Sequence, residues 1–303
     1  MFIKKSNGQL RPLGIPTIKD RAMQTLYKLA LEPIAEITAD SCSFGFRHNK
    51  SAKDAIAKCI ELLSKHSEIE WILKADIKAC FDNISHKWIM ENIPIDKEIL
   101  KQFLQCGYVY NKIFYSSEKG ITQGSCISGI ICNMVLDGLE RVLKDRFNDT
   151  VHIIRYADDF IITGISKASL QIVVPVVEYF LSERGLSLSY EKTKITHLKD
   201  GFSFLGYRIY KLNNNIISVP TRDNMDFLLN KIKEILNDFL NMSYECLCES
   251  LAKKLRGWLN YYTNLAMIES IHSVEFEIVS YITEHTGNKQ IAKFIGKIFA
   301  QYD

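Results

Sequence analysis

Asp158 and Asp159 stand side by side in RYADDFIITG, with apolar residues closing in on both flanks. Adjacent ionised carboxylates repel each other, and partial burial raises that cost. A divalent cation removes it, because Mg2+ takes hard oxygen ligands and commonly sits on one or two carboxylates plus substrate phosphates. Taken alone, an Asp-Asp pair reads more readily as a turn facing water. A third acid shifts the balance. LKADIKACFD places Asp76 at the end of an apolar strand pattern, where an acid has no packing reason to be. If residues 71–77 lie beside a hairpin formed by 151–164, Asp76 and Asp158 face one another across the sheet. Carboxylates converging from neighbouring strands suit a two-metal clamp, one ion activating a 3′-hydroxyl and the other holding a triphosphate. Asp82 reads either as a further ligand or as the N-cap of a helix starting near His86.

Two more stretches fit phosphoryl transfer. KKSNGQLR sets Lys5 and Arg11 on opposite arms of a small hairpin, from which both could grip phosphates. GITQGSCISG, residues 120–129, leads into a helix and offers backbone N–H groups and the Gln123 amide to a nucleotide.

The elements that must position these residues follow from periodicity. Residues 1–16 read as short strands about Asn7-Gly8, and 19–37 as a helix. Residues 51–65 form an amphipathic helix with Ser51 as N-cap and Asp54 at the capping-box position. A buried strand follows at 71–77, a helix at 131–147, two short strands over 151–164, and a helix over 173–185 closed by Gly185. FSFLGYRIY and IISVP suggest a hairpin with NNN at its tip. After Pro220 the pattern becomes helical throughout, so the expected division is a mixed α/β part, 1–220, and a helical part, 221–303.

Composition is that of an ordinary soluble protein: 303 residues, 47% hydrophobic and 24% charged. No apolar run reaches membrane-spanning length and the first residues lack a signal-peptide core, so a cytoplasmic location and no membrane partner are expected. Eight scattered cysteines read as free thiols in a reducing compartment; Cys246 and Cys248, the one close pair, have no second pair to make a zinc site. A net charge of +3 neither suggests nor excludes a polyanionic partner.

An ordered series of motifs resembles the bacterial reverse transcriptases of the group II intron lineage. The series is KSNGQLRPLGIPTIKDRAMQ, SFGFRHNKSAKDAI, LKADIKACFDNI, GITQGSCISGIICNMVLDGLE, RYADDF, LSYEKTKI, FSFLGY and LRGWLNYY, running from Ile3 to about Leu265. YADD alone would be weak; eight motifs in order are not. The resemblance implies an α+β right-hand polymerase, fingers and palm followed by a helical thumb. It implies an RNA-directed DNA polymerase, a nucleotidyltransferase that uses Mg2+, an RNA template, a DNA or RNA primer, and dNTPs. It places the metals on Asp76, Asp158 and the Ile77 carbonyl, with Asp159 completing the acidic triad. Lys5 and Arg11 would hold the triphosphate, Phe81 would exclude a 2′-hydroxyl, and Gln123 and Gly124 would line the nucleotide pocket. Lys192 would approach the reactive phosphates. Phe204, Leu205 and Gly206 would grip the primer, while Arg256, Trp258, Tyr261 and Tyr262 would lie on the thumb along the duplex.

There are departures. Thr122 and Gly129 stand where the family usually has prolines. The resemblance starts at the family's first motif and stops after the thumb, so the N-terminal extension and the DNA-binding and nuclease tail are expected to be lacking. A partner protein, a structured noncoding RNA or self-association is therefore expected to supply the missing grip. The expected setting is a host-adopted role, antiphage defence or CRISPR-associated spacer acquisition. The alternatives are a retron-type enzyme, against which FLG replaces the usual VTG, and an RNA-binding intron-splicing (maturase) factor with vestigial polymerisation.

Overall fold

The computed structural model describes residues 2–4, 10–12, 14–238 and 243–302. Residues 1–58 with 68–197 pack as one compact unit, and 59–67 with 198–303 as another. The strands that precede Pro220 pack with the C-terminal helices in the second unit.

The first unit opens with β1 (Phe2–Lys4) paired antiparallel to β2 (Leu10–Pro12), then α1 (Ile18–Thr38). Thr17 and Asp20 close a capping box at the start of α1. Helix α2 (Ala52–Lys65) begins as its sequence indicates, with Asp54 N–H donating to Ser51 Oγ and Ser51 N–H to Asp54 Oδ2. After β3 (Trp71–Asp76) come α3 (Cys80–Asn83), α4 (His86–Asn92), α5 (Lys97–Gln105) and an exposed hairpin of β4 (Tyr108–Tyr110) with β5 (Ile113–Tyr115). Ser85, not Asp82, caps α4, since its hydroxyl accepts from Trp88 N–H.

The helix expected over 131–147 is in fact two: α6 (Ser128–Leu136) and α7 (Leu139–Phe147). Gly138, at φ 94°, takes the left-handed backbone that breaks the run, and Asp137, whose N–H still donates to the Asn133 carbonyl at 2.8 Å, becomes the C-cap of α6. Next come β6 (His152–Tyr156), β7 (Asp159–Gly164), α8 (Lys167–Ser182) and β8 (Lys194–His197). Helix α8 starts six residues before the expected Val173 because Ser166 and Ser169 form a capping box.

Strands order β6-β7-β3-β8 in one antiparallel sheet. Side chains alternate across it. Leu73, Ala75, Ile153, Phe160 and Ile162 fall on one face and join a core with Ile131, Val135, Leu139 and Val177 from the helices. The opposite face of β3 carries Ile72, Lys74 and Asp76. Burial of the first face fixes the register, since a one-residue slip would carry every one of those core side chains to the other face.

In the second unit, β9 (Phe202–Phe204), β10 (Tyr207–Leu212) and β11 (Asn215–Pro220) form a three-stranded meander where one hairpin was expected. The expected first strand is cut at Leu205-Gly206, both left-handed (φ 46° and 82°). Asn213 and Asn214, also at positive φ, make the second two-residue turn. Helices α9 (Arg222–Asn237), α10 (Tyr244–Tyr262), α11 (Ile268–Thr286) and α12 (Lys289–Phe299) pack on one another through Leu228, Ile232, Leu251, Leu255, Ile278 and Ile295. No helix among the described residues is long and apolar enough to cross a membrane.

Candidate active site

Strand β3 ends at Asp76, and the register sets it directly opposite Asp159 at the start of β7. The sequence had suggested Asp158 as the facing residue. Asp158 instead occupies the two-residue turn between β6 and β7, since Tyr156 pairs with Asp159 and Ala157 adopts φ 56°. Cross-strand partners project from the same sheet face, so Asp76 and Asp159 are close like charges. Their electrostatics show it. The Asp159 carboxyl is raised to about 6, chiefly by burial, with Lys74 pulling it down, Asp158 and Asp76 adding to the rise, and Lys192 opposing it. Asp159 Oδ1 is buried and accepts no hydrogen bond.

Asp76 has a different partner. Lys192 Nζ lies 3.1 Å from its Oδ2, on a lysine whose side chain is 66% exposed, so the pair is well screened. Lys192 reaches Asp76 because Ser189 N–H donates to the Asp76 carbonyl at 2.8 Å and Ile77 bridges Leu188, pinning the 187–192 segment to the strand exit. Lys74, two residues before Asp76 and on the same face, was passed over in the sequence reading; its signal is a lysine within an apolar strand.

Among the described residues no group of three or more His, Cys, Asp or Glu side chains is gathered as a cation cage. What the fold presents is a register-paired carboxylate couple with an orphaned oxygen, beside a third acid at a turn. That donor set fits a hard divalent ion whose shell is completed by substrate phosphates and water. The neighbouring thiols do not belong to it. Cys80 Sγ lies 3.9 Å from Cys132 Sγ, and that contact, burial and the Asp158 charge all push its thiol up, leaving a neutral core group.

Phe81 is partly buried in α3, after Ala79 in left-handed backbone. Its ring meets Phe46 edge-on at 6.2 Å. Phe46 was also missed; it protrudes from SFGFR at φ 56°, and Gly129 leaves room for it, since a Cβ there would sit 2.9 Å from its ring. The Phe81 carbonyl accepts from Ile121 N–H at 2.6 Å, which joins α3 to the TQG loop. Gln123 is half-buried, and its carbonyl accepts from Gly14 N–H at 2.8 Å. A Cβ on Gly124 would stand 2.5 Å from the Gly14 carbonyl, so the RPLGIP and TQG segments pack backbone on backbone. Lys5 lies outside the described residues, as does the Arg11 side chain.

The second unit holds the remaining expected residues. Phe204 is fully buried and ends β9. Leu205 and Gly206 form the turn, and two tyrosines at the end of α10 hold it. Tyr261 donates to the Leu205 carbonyl at 2.6 Å and Tyr262 to the Gly206 carbonyl at 3.0 Å, while Tyr207 packs against both rings. These hydroxyls are thus engaged with the turn itself. Beside it runs a groove of about 780 Å³, whose lining includes Leu205, Phe227, Lys253, Lys254, Trp258 and Tyr261. Arg256 is exposed and stands outside that lining.

Residues 3–209 match the family model of reverse transcriptases (RNA-dependent DNA polymerases). Protein YkfC of Escherichia coli K12 is 29% identical, the match covering 70% of this chain and 66% of that protein. The group II intron-encoded protein LtrA of Lactococcus lactis subsp. cremoris is 28% identical, covering 69% and 46%. The chain therefore spans less than two thirds of the length of either relative. A telomerase from Candida albicans, in complex with a TWJ fragment of telomeric RNA, shares the fold at a TM-score of 0.50 and 15% identity, covering 92% of this chain and 53% of that one. With the family match running unbroken from the first hairpin through the paired aspartates to β10, the chain belongs to the reverse transcriptase family and has the α+β fold of right-hand polymerases.

Proposed function

We propose that the chain is an RNA-directed DNA polymerase that adds dNTPs to a primer 3′-hydroxyl on an RNA template, using Mg2+. The observation that carries this is the pairing of Asp76 with Asp159, one oxygen orphaned, beside the Ala157-Asp158 turn. Asp76, Asp158, Asp159 and the Ile77 carbonyl would hold the metal. When bound, the ion supplies a Lewis acid for the hydroxyl and charge neutralisation for the triphosphate. Lys192 exchanges its contact with Asp76 for the substrate phosphates, with Lys5 and Arg11 as the other cationic contacts. Phe81, braced by Phe46, forms the wall against a 2′-hydroxyl, and Gln123 and Gly124 border the nucleotide. The FLG turn and the groove beside it, with Lys253, Lys254 and Trp258, take the primer–template strand through phosphate contacts and base stacking. The mixed α/β part serves as fingers and palm, and the helices after Pro220 as thumb.

The test is primer extension on a primed RNA template. Asp158→Ala abolishes dNTP incorporation while leaving the protein folded; activity equal to the unaltered chain would overturn the assignment. An intron-splicing role has one supporting observation, the similarity to LtrA and to the maturase-like protein 1 of Euglena gracilis, 27% identical over 82% of this chain. It predicts that splicing assistance survives the same substitution. Defence, spacer-acquisition and retron settings are separated by the RNA that copurifies with the protein.

A further inference from the structure

Arg155 is the largest fully buried side chain among the described residues, at 1% exposure. Its Nη2 is ion-paired to Asp137, and its Nη1 donates to Asn133 Oδ1 at 3.2 Å and to the Ala157 carbonyl at 3.3 Å. Asn133, itself buried, donates from Nδ2 to the Gly45 carbonyl at 2.6 Å. Gly45 in turn lies flat against the turn: a Cβ there would stand 2.4 Å from Ala157 N. The backbone closes the circle, since Arg155 N–H donates to Cys42 O at 2.9 Å and Phe44 N–H to Arg155 O at 2.9 Å. Apart from the braces Arg155 takes from Asp137 and Asn133, these contacts end on Ala157 or on the 42–45 segment that packs against it.

A buried ion pair is poor mortar. Desolvation rivals its Coulomb attraction, and well-packed apolar side chains of equal volume commonly hold a core as well or better. This one also leaves Arg155 Nε, Asp137 Oδ2 and Ser43 Oγ without hydrogen-bond partners. What an apolar cluster would not do is hold a carbonyl. Ala157 sits in left-handed backbone, which a residue with a Cβ adopts only when its surroundings impose it. Arg155 fixes the peptide plane between Ala157 and Asp158 from its carbonyl side, and Gly45 blocks the preceding plane from moving. The direction in which Asp158 leaves the backbone, and the start of β7 at Asp159, are set by those two planes. We infer that Arg155, braced by Asp137 and Asn133, is a positioning residue for the Asp158–Asp159 turn, a role in catalysis that rests on the polymerase reading above.

Arg155→Lys tests it, because lysine keeps a positive charge beside Asp137 but cannot span Asn133 and the Ala157 carbonyl at once. The double variant Arg155→Met/Asp137→Leu removes the pair without leaving a lone buried charge, and serves should the lysine variant fail to fold. Amide hydrogen exchange over 157–159, with 73–75 in β3 as internal reference, reads the turn directly. The expected result is at least tenfold faster exchange at the turn, an unchanged reference, and kcat for dNTP incorporation down at least tenfold with KM for dNTP within twofold. A folded variant with the exchange and kcat of the unaltered chain would overturn the proposal. Should the unaltered chain incorporate no dNTP, the polymerase reading fails, while exchange at the turn still decides whether Arg155 positions it.

Discussion

Gly45→Ala adds one methyl group where no space exists for it. The new Cβ meets Ala157 N at 2.4 Å, the Tyr156 carbonyl carbon at 3.0 Å and Ala157 Cα at 3.1 Å, all of them backbone atoms. Gly45 itself is not at positive φ, so the penalty is steric rather than conformational. Ordinary contact begins near 3.4 Å, so roughly 1 Å must open between the 42–45 segment and the turn. Inserting a methylene into packed structure costs about 1–3 kcal/mol. A misplacement of about 1 Å near reacting groups costs on the order of 10²-fold in rate. Urea unfolding should therefore show a loss of about 1–3 kcal/mol, and steady-state primer extension a kcat lower by about 10²-fold with dNTP KM little changed. The second loss exceeds what destabilisation alone gives, because a protein that stays folded at the assay temperature loses almost no active fraction. A folded Gly45→Ala protein with kcat within about twofold of the parent would show that the close approach does not govern the turn, and would refute this account of how the acids are placed.

Phe81→Ala removes the proposed wall against the 2′-hydroxyl and should raise rNTP incorporation relative to dNTP; an unchanged ratio in competition assays would remove Phe81 from that role. Tyr262→Phe deletes the 3.0 Å bond to the Gly206 carbonyl, which still accepts from Thr221 N–H at 2.9 Å. The stability cost should stay near 1 kcal/mol, while faster primer–template dissociation reports a loosened turn; dissociation at the parental rate would separate the tyrosine from primer grip. Asp159→Asn should stabilise the metal-free protein. With its folded pKa raised to about 6 against 3.8 for an unperturbed carboxyl, Asp159 opposes folding in full above pH 6, progressively less as pH falls, and not at all below 3.8. The gain is at most about 3 kcal/mol at pH 7.5 and should vanish below pH 4, read by unfolding at each pH in EDTA; equal stability at pH 7.5 would show that Asp159 is not held at a cost.

The paired strands, the capping box of α2 and the order of the acids were legible because each leaves a local signature: alternation, Ser51 with Asp54, an acid ending an apolar run. Which acid faces Asp76 was not. A hairpin of unknown turn length leaves the register free by one residue, and that residue decides between Asp158 and Asp159. The break at Asp137-Gly138 was hidden for a related reason: periodicity continues across it, and only tertiary packing rewards the left-handed glycine. Leu205 hid the meander in the same way, since a leucine gives no hint that it will adopt φ 46°. Phe46, Lys74 and Arg155 escaped because each reads as ordinary composition until the chain around it is folded.

These misses share a cause that also explains how the site is built. Sequence periodicity reports which face of an element is buried, and so it finds side chains that stabilise. A role in restraining backbone leaves no such mark, as with Arg155, which holds Ala157, or Tyr261 and Tyr262, expected along the duplex but engaged with Leu205-Gly206. Both turns place a non-glycine residue in left-handed backbone, Ala157 in one and Leu205 in the other, and in both a side chain from outside the turn, Arg155 on the adjoining β6 and Tyr261 on α10, holds that residue's own carbonyl. A strained turn held from outside keeps one orientation more firmly than a relaxed turn free to rock. The acids next to the first of these turns repel one another in the absence of a counter-ion, so a turn free to rock would separate them. Holding Ala157 through its carbonyl opposes that separation without placing a further charge among the carboxylates, so the Asp159 oxygen stays without a hydrogen-bond partner, as the proposed metal role requires.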